Sequence, residues 1–397
     1  MKILSVNAGS SSLKFQMYEM PEEKVLISGY IERIGLDGCF WTIKIDGNKV
    51  KTEGALANHS EAVKVLIDEL FKNNIINSLD EIDGIGHRVL HGGEKYSDSG
   101  IITDEVIEDI KSLTKLGPLH HPGNLAGIVA LKEVMPNVPM VAVFDTAFHQ
   151  TMPEKNYMYP VPMEWYTEHK VRKYGFHGTS HKYITLTMKE MLNKEDVNLI
   201  ICHIGSGASI SAVKEGKCYN TTMGLTPLDG LMMGTRSGAI DPSIIEYVCK
   251  ETNKSVSEIT NDLNKKSGFL GISGFSDCRD VENSVKEGNS NAILAYDMYC
   301  DRIAKYIAEY YLDLDGKVDA IIFTAGVGEN GCMVREKVIN KLNPIGISIN
   351  NEINNSIASF KDIKEGKISD ENSKVDVYVI PTDEEVVIAK DVYSFIK

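Results

Sequence analysis

The sequence predicts an α/β protein, and three observations carry that prediction. Short apolar runs recur along the chain, separated by stretches with helical spacing of apolar residues, the alternation from which layered α/β folds are built. The strand Ile3–Val6 ends in Asn7-Ala8-Gly9-Ser10-Ser11-Ser12 and turns at once into a second strand; roughly 200 residues later Leu199–Ile204 ends in Gly205-Ser206-Gly207-Ala208 and does the same. A length of 397 residues is enough for two or three domains, each with its own core. Two such units opening two halves of one chain suggest a duplicated fold with a cleft between the halves. Two unrelated hairpins are the alternative, since Gly and Ser populate most turns.

Taken in order, strands are predicted at Ile3–Val6, Leu13–Tyr18, Val25–Ile31, Phe40–Ile45, Ile82–Leu90 and Met140–Phe144. A second series follows at Leu199–Ile204, Ser209–Val213, Ala320–Thr324 and Val375–Ile380. Ser60 is placed to cap a helix burying Val63, Leu66, Ile67 and Leu70, and Thr103 one burying Val106, Ile107, Ile110 and Leu113. Asp241-Pro242 reads as an N-cap with proline at the first helical position, leading into Ile244, Ile245, Val248 and Cys249. Ile293, Tyr296, Cys300, Ile303, Ile307 and Tyr311 form the buried stripe of a long helix. The polar stretch Asn350–Ser373 reads as a surface excursion, and the Pro- and Tyr-rich stretch Gln150–Met163 as an internal boundary.

Composition narrows the function classes. Acidic residues outnumber basic ones by 56 to 42, a net charge of −14, which argues against a nucleic-acid binder, since phosphate-backbone affinity comes from Lys and Arg. Any anionic ligand must therefore be held by a local cluster of donors against the global field. The seven cysteines are odd in number and form no Cys-x-x-Cys, so neither a disulfide framework nor a zinc ribbon is supported and a reducing, cytoplasmic setting is expected. The opening MKILSVNAGSS has no leader-like apolar region, and the longest apolar runs fall far short of the ~20 residues of a membrane span.

Several motifs carry chemistry. The turn from Asn7 to Lys14 combines backbone N–H groups, the hydroxyls of Ser10, Ser11 and Ser12, and one cation, which suits phosphate oxygens. No Gly-x4-Gly-Lys-Ser/Thr occurs, so such a site would be a β-hairpin cradle; the plainer reading is a serine-rich hairpin with an exposed lysine. Phe323-Thr-Ala-Gly326-Val-Gly328-Glu-Asn330-Gly331 formally matches Gly-x-Gly-x-x-Gly, late in the chain and without a complete βαβ series after it. His177 and His181 have the spacing of a metal pair, but Gly178 and a cap at Thr179 or Ser180 are expected to break a helix between them, favouring a structural or donor role. Arg88, in GIGHRVLHGGE, and Arg236, in MMGTRSG, stand among small residues at element ends, where a guanidinium either points its fork into a cleft or snorkels from a loop. Asp145 follows the strand Met140–Phe144, where α/β folds collect ligand-binding groups, or is an N-cap. Thr382 and Glu385 fit a capping box, leaving Glu384 to bind Mg²⁺ through water or simply to favour the helix dipole.

In order and in detail these segments resemble the acetate kinase (acetokinase) family, of the acetate and sugar kinase, heat-shock protein and actin superfamily. The resemblance runs from VNAGSSSLKF through GHRVLHGG, VFDTAFHQTMP, YGFHGTSH, MGLTPLDGLMMGTRSG and FTAGVGEN to PTDEEVVIA, essentially the whole chain. It implies duplicated actin-like (ribonuclease H-like) domains with an active-site cleft between them. Residues 1–150 would form the acetate side, with a C-terminal helix 385–397 packing back on it, and residues 151–384 the nucleotide side. It implies Mg²⁺-dependent phosphoryl transfer between ATP and acetate, giving ADP and acetyl phosphate, in a homodimer, with Mn²⁺ as a substitute metal. By match to the family's motifs, Asn7 and Glu384 are the metal positions, and Lys14, with Ser10 and Ser12, serves the nucleotide phosphates. Arg88 binds acetate, Asp145 is the catalytic acid, and His177 and Arg236 stabilise the transferring phosphoryl group. Nucleotide contacts map to His203, Ile204, Gly205, Ser206 and Gly207, to Asp277, Cys278 and Arg279, and to Gly326, Val327, Gly328, Glu329 and Asn330. The acetate methyl pocket maps to Leu90, Leu119, Phe176 and Pro227.

The chain departs from the family's usual pattern in four places. Ser206 stands where an Asn is usual and loses an amide donor. Ala239 follows TRSG where an Asp is usual, which removes an acidic group near Arg236. The acetate loop reads LHHPGN, with His121 where an Asn commonly stands. Leu90 replaces a frequent Val and argues against larger acyl chains. A charge argument qualifies the role of Asp145: a carboxylate with a pKa near 4 needs no general base at pH 7, so Asp145 reads better as orienting the metal or an Arg. The rivals are a nucleotide-gated module of the actin type, a nicotinamide oxidoreductase suggested by Gly326–Gly331, and, nearest, a propionate kinase.

Overall fold

A computed structural model describes residues 1–118 and 120–397. The chain forms two compact units, one of Met1–Gln150 with Asp383–Lys397 and one of Thr151–Thr382. Among the described residues no helix is long and apolar enough to cross a membrane.

The first unit is built on an eight-stranded sheet of β1 (Lys2–Ala8), β2 (Ser12–Glu19), β3 (Lys24–Glu32), β4 (Phe40–Ile45), β5 (Asn48–Glu53), β6 (Ile82–Val89), β7 (Gly100–Ile101) and β8 (Met140–Phe144), in the order β5-β4-β3-β2-β1-β6-β8-β7. β1 to β5 form an antiparallel meander, whereas β1, β6 and β8 run parallel. All five residues of β8 are buried, as a strand covered on both faces requires. The apolar reading missed β5 because NKVKTE is an exposed, lysine-bearing edge strand, the composition that discourages edge-to-edge pairing.

The helices of this unit follow from their caps. His59–Lys72 starts two residues earlier than expected: Asn58, not Ser60, receives the Glu61 N–H at 3.1 Å. Thr103 caps Asp104–Ser112 as predicted. The C-terminal helix Glu384–Ile396 is capped by Asp383, whose carboxylate receives the Val386 N–H at 3.0 Å, so the expected Thr382/Glu385 capping box does not form. This helix lies on β6, and glycine makes the approach feasible: a Cβ on Gly86 would fall 2.3 Å from Ile388 and 2.8 Å from Val392.

The second unit has a six-stranded sheet of β9 (Leu199–Ile204), β10 (Ala208–Lys214), β11 (Lys217–Thr221), β12 (Ala320–Thr324), β13 (Gly366–Lys367) and β14 (Asp376–Val379), ordered β11-β10-β9-β12-β14-β13. β11, β10 and β9 are antiparallel, and β9, β12 and β14 are parallel. The series β3-β2-β1-β6-β8 has the same sequence of directions, so the likeness of the two turns extends to whole sheets.

Three local expectations are corrected here. The long helix Ser290–Asp313 buries Tyr296, Tyr299, Cys300, Ile303, Ile307 and Tyr310, while Ile293 is 38% exposed and Tyr311 lies off the stripe. Helix Ser243–Thr252 starts one residue later than expected, with Pro242 rather than Asp241 at the N-cap although Asp241 still accepts the Ser243 N–H at 2.9 Å, and none of its residues is buried. The segment 350–373 is more than a surface excursion, because Asn354, Ile357, Ala358 and Ile368 are buried within it.

Candidate active site

In the first unit the predicted residues gather where parallel strands end, the usual place for ligand-binding groups in open α/β sheets. Arg88 is the penultimate residue of β6, and Asp145 follows β8 directly, its N–H still bonded to the Val89 carbonyl at 3.0 Å. The two side chains form a two-point ion pair: Arg88 Nε donates to Asp145 Oδ1 at 3.0 Å and Nη2 to Oδ2 at 2.5 Å. Nη1 donates to Asn7 Oδ1 at 3.3 Å, which brings the end of β1 into the same cluster.

The predicted cradle is indeed a β-hairpin. Asn7 pairs with Lys14 across β1 and β2, and the Gly9 N–H closes the turn on the Ser12 carbonyl at 2.8 Å. Two residues that the sequence reading did not select hold it in place. Asn124 donates to the Ala8 carbonyl at 2.7 Å and accepts the Leu90 N–H at 3.1 Å, and a ring nitrogen of His59 lies 2.8 Å from the Gly9 carbonyl. Gly123 lets helix His121–Val134 approach, since a Cβ there would sit 2.4 Å from the Gly9 oxygen. Leu90 is buried; Leu119 lies outside the described residues.

Electrostatically this cluster is rich in carboxylates. Burial would push the Arg88 guanidinium down, but Asp145, Glu384 and Glu385 outweigh it and the net direction is upward. Burial raises the Asp145 carboxyl, Arg88 opposes, and Glu384 adds to the rise. Glu385 is raised by burial first and then by Glu384 and Asp383. Among the described residues no group of three or more His, Cys, Asp or Glu is arranged to hold an ion. Asn7 and Glu384 are hard oxygen donors in an electronegative setting, and they fit a small divalent cation that keeps waters and completes its shell on substrate phosphates.

In the second unit, Gly205, Ser206, Asp277, Cys278, Arg279, Gly326, Val327 and Asn330 all line one cavity of about 700 Å³, joined by Phe269, Tyr299 and Phe360. Asp277 caps helix Cys278–Lys286 and pairs with Arg279, accepting its Nε at 3.0 Å and its Nη2 at 2.6 Å; that pairing lowers the Asp277 carboxyl. Asn330 ties the Gly326 carbonyl (2.8 Å) to the Ser359 N–H (2.9 Å) and hydroxyl (2.7 Å). Gly328 and Glu329 do not line the cavity. A Cβ on Gly328 would touch the Phe323 carbonyl carbon at 3.4 Å, and Glu329 accepts the Thr382 N–H at 3.2 Å.

Arg335, which the sequence reading also passed over, anchors this loop. It is fully buried and donates to the carbonyls of Gly328, Glu329, Asn354 and Ile357 and to Asn354 Oδ1, at 2.7–3.1 Å. Burial lowers its guanidinium to about 10.

The turn after β9 carries the charged chemistry. A Cβ on Gly207 would lie 3.4 Å from both His177 Nε2 and Arg236 Nη1, so the two donors converge on this glycine. Arg236 Nη1 also donates to the Pro227 carbonyl at 3.1 Å, and burial lowers its guanidinium. Gly178 opens helix Gly178–Leu192 rather than interrupting it, with His177 as the N-cap residue at φ +58° and His181 in the first turn. Phe176 is buried just before that cap. His177 and His203 stack with ring centroids 4.1 Å apart, and His203 Nδ1 lies 2.7 Å from Ser180 Oγ. His177 Nδ1 and His181 Nε2 each lie 2.9 Å from Ser209 Oγ. The alternation Ser209-Ile210-Ser211 inside an apolar strand buried from Ala208 to Val213 was the available sign that these hydroxyls face something polar.

Comparison with known proteins agrees with the motif reading. A family model described as the acetokinase family matches residues 2–390. The chain is 53% identical to the acetate kinase of Bacillus subtilis (strain 168), covering 100% of both, and 54% identical to that of Geobacillus sp. (strain WCH70), covering 98% of both. Among solved structures, Porphyromonas gingivalis acetate kinase superposes with a TM-score of 0.94 at 44% identity over 100% of both chains. A propionate kinase from Francisella tularensis superposes with 0.93 at 42% identity over 99% of both.

Proposed function

The chain belongs to the acetokinase family, and we propose that it transfers the γ-phosphoryl group of ATP reversibly to acetate, giving acetyl phosphate and ADP. It is a phosphotransferase acting on a carboxyl group. The observation that carries the reading is the convergence of His177 Nε2 and Arg236 Nη1 on Gly207, beside the cavity lined by Gly205, Ser206 and Gly326.

The acceptor is an anion before it meets the enzyme, so catalysis is charge neutralisation and alignment rather than proton abstraction. Arg88 holds the acetate carboxylate, and Asp145 acts through Arg88: its two-point pairing fixes the plane of the guanidinium. His177 and Arg236 supply donors to the equatorial oxygens of the phosphoryl group in flight. Lys14 and the hairpin hydroxyls of Ser10 and Ser12 serve the nucleotide phosphates. Asn7 and Glu384 would hold a divalent cation, Mg²⁺ with Mn²⁺ as substitute, which neutralises phosphate charge when bound. The long side chain of Leu90 favours acetate over larger acids. A homodimer is part of the same reading, and the uncovered stripe of Ile244, Ile245, Val248 and Cys249 on helix Ser243–Thr252 supports it.

The deciding measurement is steady-state ADP formation with formate, acetate, propionate and butyrate, each with ATP, GTP and pyrophosphate. The highest kcat/KM is expected for acetate with ATP. No acetate-dependent ADP release from the purified chain would refute the activity, and a larger value for propionate would move the substrate.

A further inference from the structure

We propose that Ser209 is a positioning residue that fixes the tautomer of His177. The proposal rests on His177 facing the transferred phosphoryl group and names what orients it. Three buried groups and the half-buried His177 form a chain: Ser211 Oγ lies 2.8 Å from His181 Nδ1, His181 Nε2 lies 2.9 Å from Ser209 Oγ, and Ser209 Oγ lies 2.9 Å from His177 Nδ1. Ser209, Ser211 and His181 are all 0% exposed, so water does not complete their hydrogen bonding.

The number of hydrogens decides the direction of the chain. A neutral imidazole carries one N–H, and a hydroxyl carries one hydrogen. If Ser211 donates to His181 Nδ1, then His181 Nε2–H donates to Ser209, and Ser209 donates to His177 Nδ1. Every hydrogen in this arrangement has an acceptor. In the reverse direction His181 Nδ1–H donates to Ser211, and the Ser211 hydroxyl hydrogen then needs an acceptor that the described residues do not offer it. Burying an unpaired donor is costly, so the first direction prevails. It makes Nδ1 of His177 an acceptor and leaves its one hydrogen on Nε2, the atom beside Gly207. A phosphoryl oxygen meets an N–H there; the other neutral tautomer would present a lone pair and repel it. The His203 ring stacked at 23° to His177 holds the ring plane in which this bond is aimed.

The test combines a spectroscopic and a kinetic readout. In long-range ¹H–¹⁵N spectra of histidine-labelled protein, with His177 assigned from His177→Gln, the wild type should show protonated Nε2 and unprotonated Nδ1. Ser209→Ala should give a mixture of tautomers and lower kcat about 10–100-fold, with both KM values within about threefold. Ser209→Thr, which keeps the hydroxyl, should restore kcat. Protonated Nδ1 in the wild type, as the other tautomer or as imidazolium, overturns the proposal without any variant. Wild-type kcat in Ser209→Ala beside an inactive His177→Ala overturns the relay alone. Wild-type kcat in both overturns the role of His177 as well.

Discussion

Arg88 and Asp145 meet through two parallel hydrogen bonds, at 3.0 and 2.5 Å, from the ends of neighbouring parallel strands that pair Arg88 with Val143. The pairing is possible because β6 and β8 are adjacent although fifty residues of chain separate them. It commits one edge of the guanidinium to Asp145 and leaves Nη1 on the Asn7 side. Arg88→Ala is therefore expected to lower kcat by roughly 10³-fold or more with circular dichroism unchanged. Arg88→Lys should recover little of it, because an ammonium cannot make the two-point contact. Wild-type-like turnover in purified Arg88→Ala contradicts the assignment.

Arg236 depends on a different kind of support. Its Nη1 is held by the Pro227 carbonyl at 3.1 Å, a neutral partner, and burial works against its charge. Arg236→Ala should cost kcat by roughly 10³-fold or more, with a much smaller change in either KM, as expected for a donor used mainly in the transition state. A loss confined to KM would place it in ground-state binding instead.

Ser206 is exposed in the turn between β9 and β10 and lines the cavity of about 700 Å³ in the second unit, proposed above to take the nucleotide. Ser206→Asn restores the amide donor usual in the family, and the KM for ATP should fall. An unchanged or higher KM, measured at saturating acetate, shows that the serine is already accommodated.

His87 lies within β6, 2% exposed, and its Nε2 has no hydrogen-bond partner among the described residues. Burial lowers it from 6.5 to about 3. Between those values the unfolded chain binds a proton that the folded chain refuses, so stability is intact above about pH 6.5 and declines as pH falls. One proton is worth about 1.4 kcal/mol per pH unit. Urea midpoints taken from pH 7 to pH 4.5 should fall less steeply in His87→Leu than in the wild type; parallel curves would remove His87 from the account.

Arg335 connects the loop of Gly328 and Glu329, proposed to contact the nucleotide, to the 354–357 segment through five hydrogen bonds. Arg335→Met leaves buried acceptors without donors and should destabilise the protein by about 3–5 kcal/mol. Because Gly328 and Glu329 are among those acceptors, the KM for ATP should rise in the same variant. A change in thermal midpoint with an unaltered KM would limit Arg335 to a structural role.

What the sequence by itself determined is what short-range chemistry controls. Apolar runs marked ten of the strands, glycine and serine marked both hairpin turns, and Thr103 marked its helix start, because each is decided by neighbours a few residues away. Collinear motifs then named Arg88, Asp145, His177 and Arg236 together. Only the tertiary structure decided which side chains those residues lean on. Asn124 and Arg335 carry no local pattern that distinguishes them, the alternation around Ser209 does not say what it meets, and the partners of the three lie 116, 19 and 32 residues away. Strand register and helix docking select such partners, and a buried hydrogen bond has value only once the surrounding fold has excluded water from it.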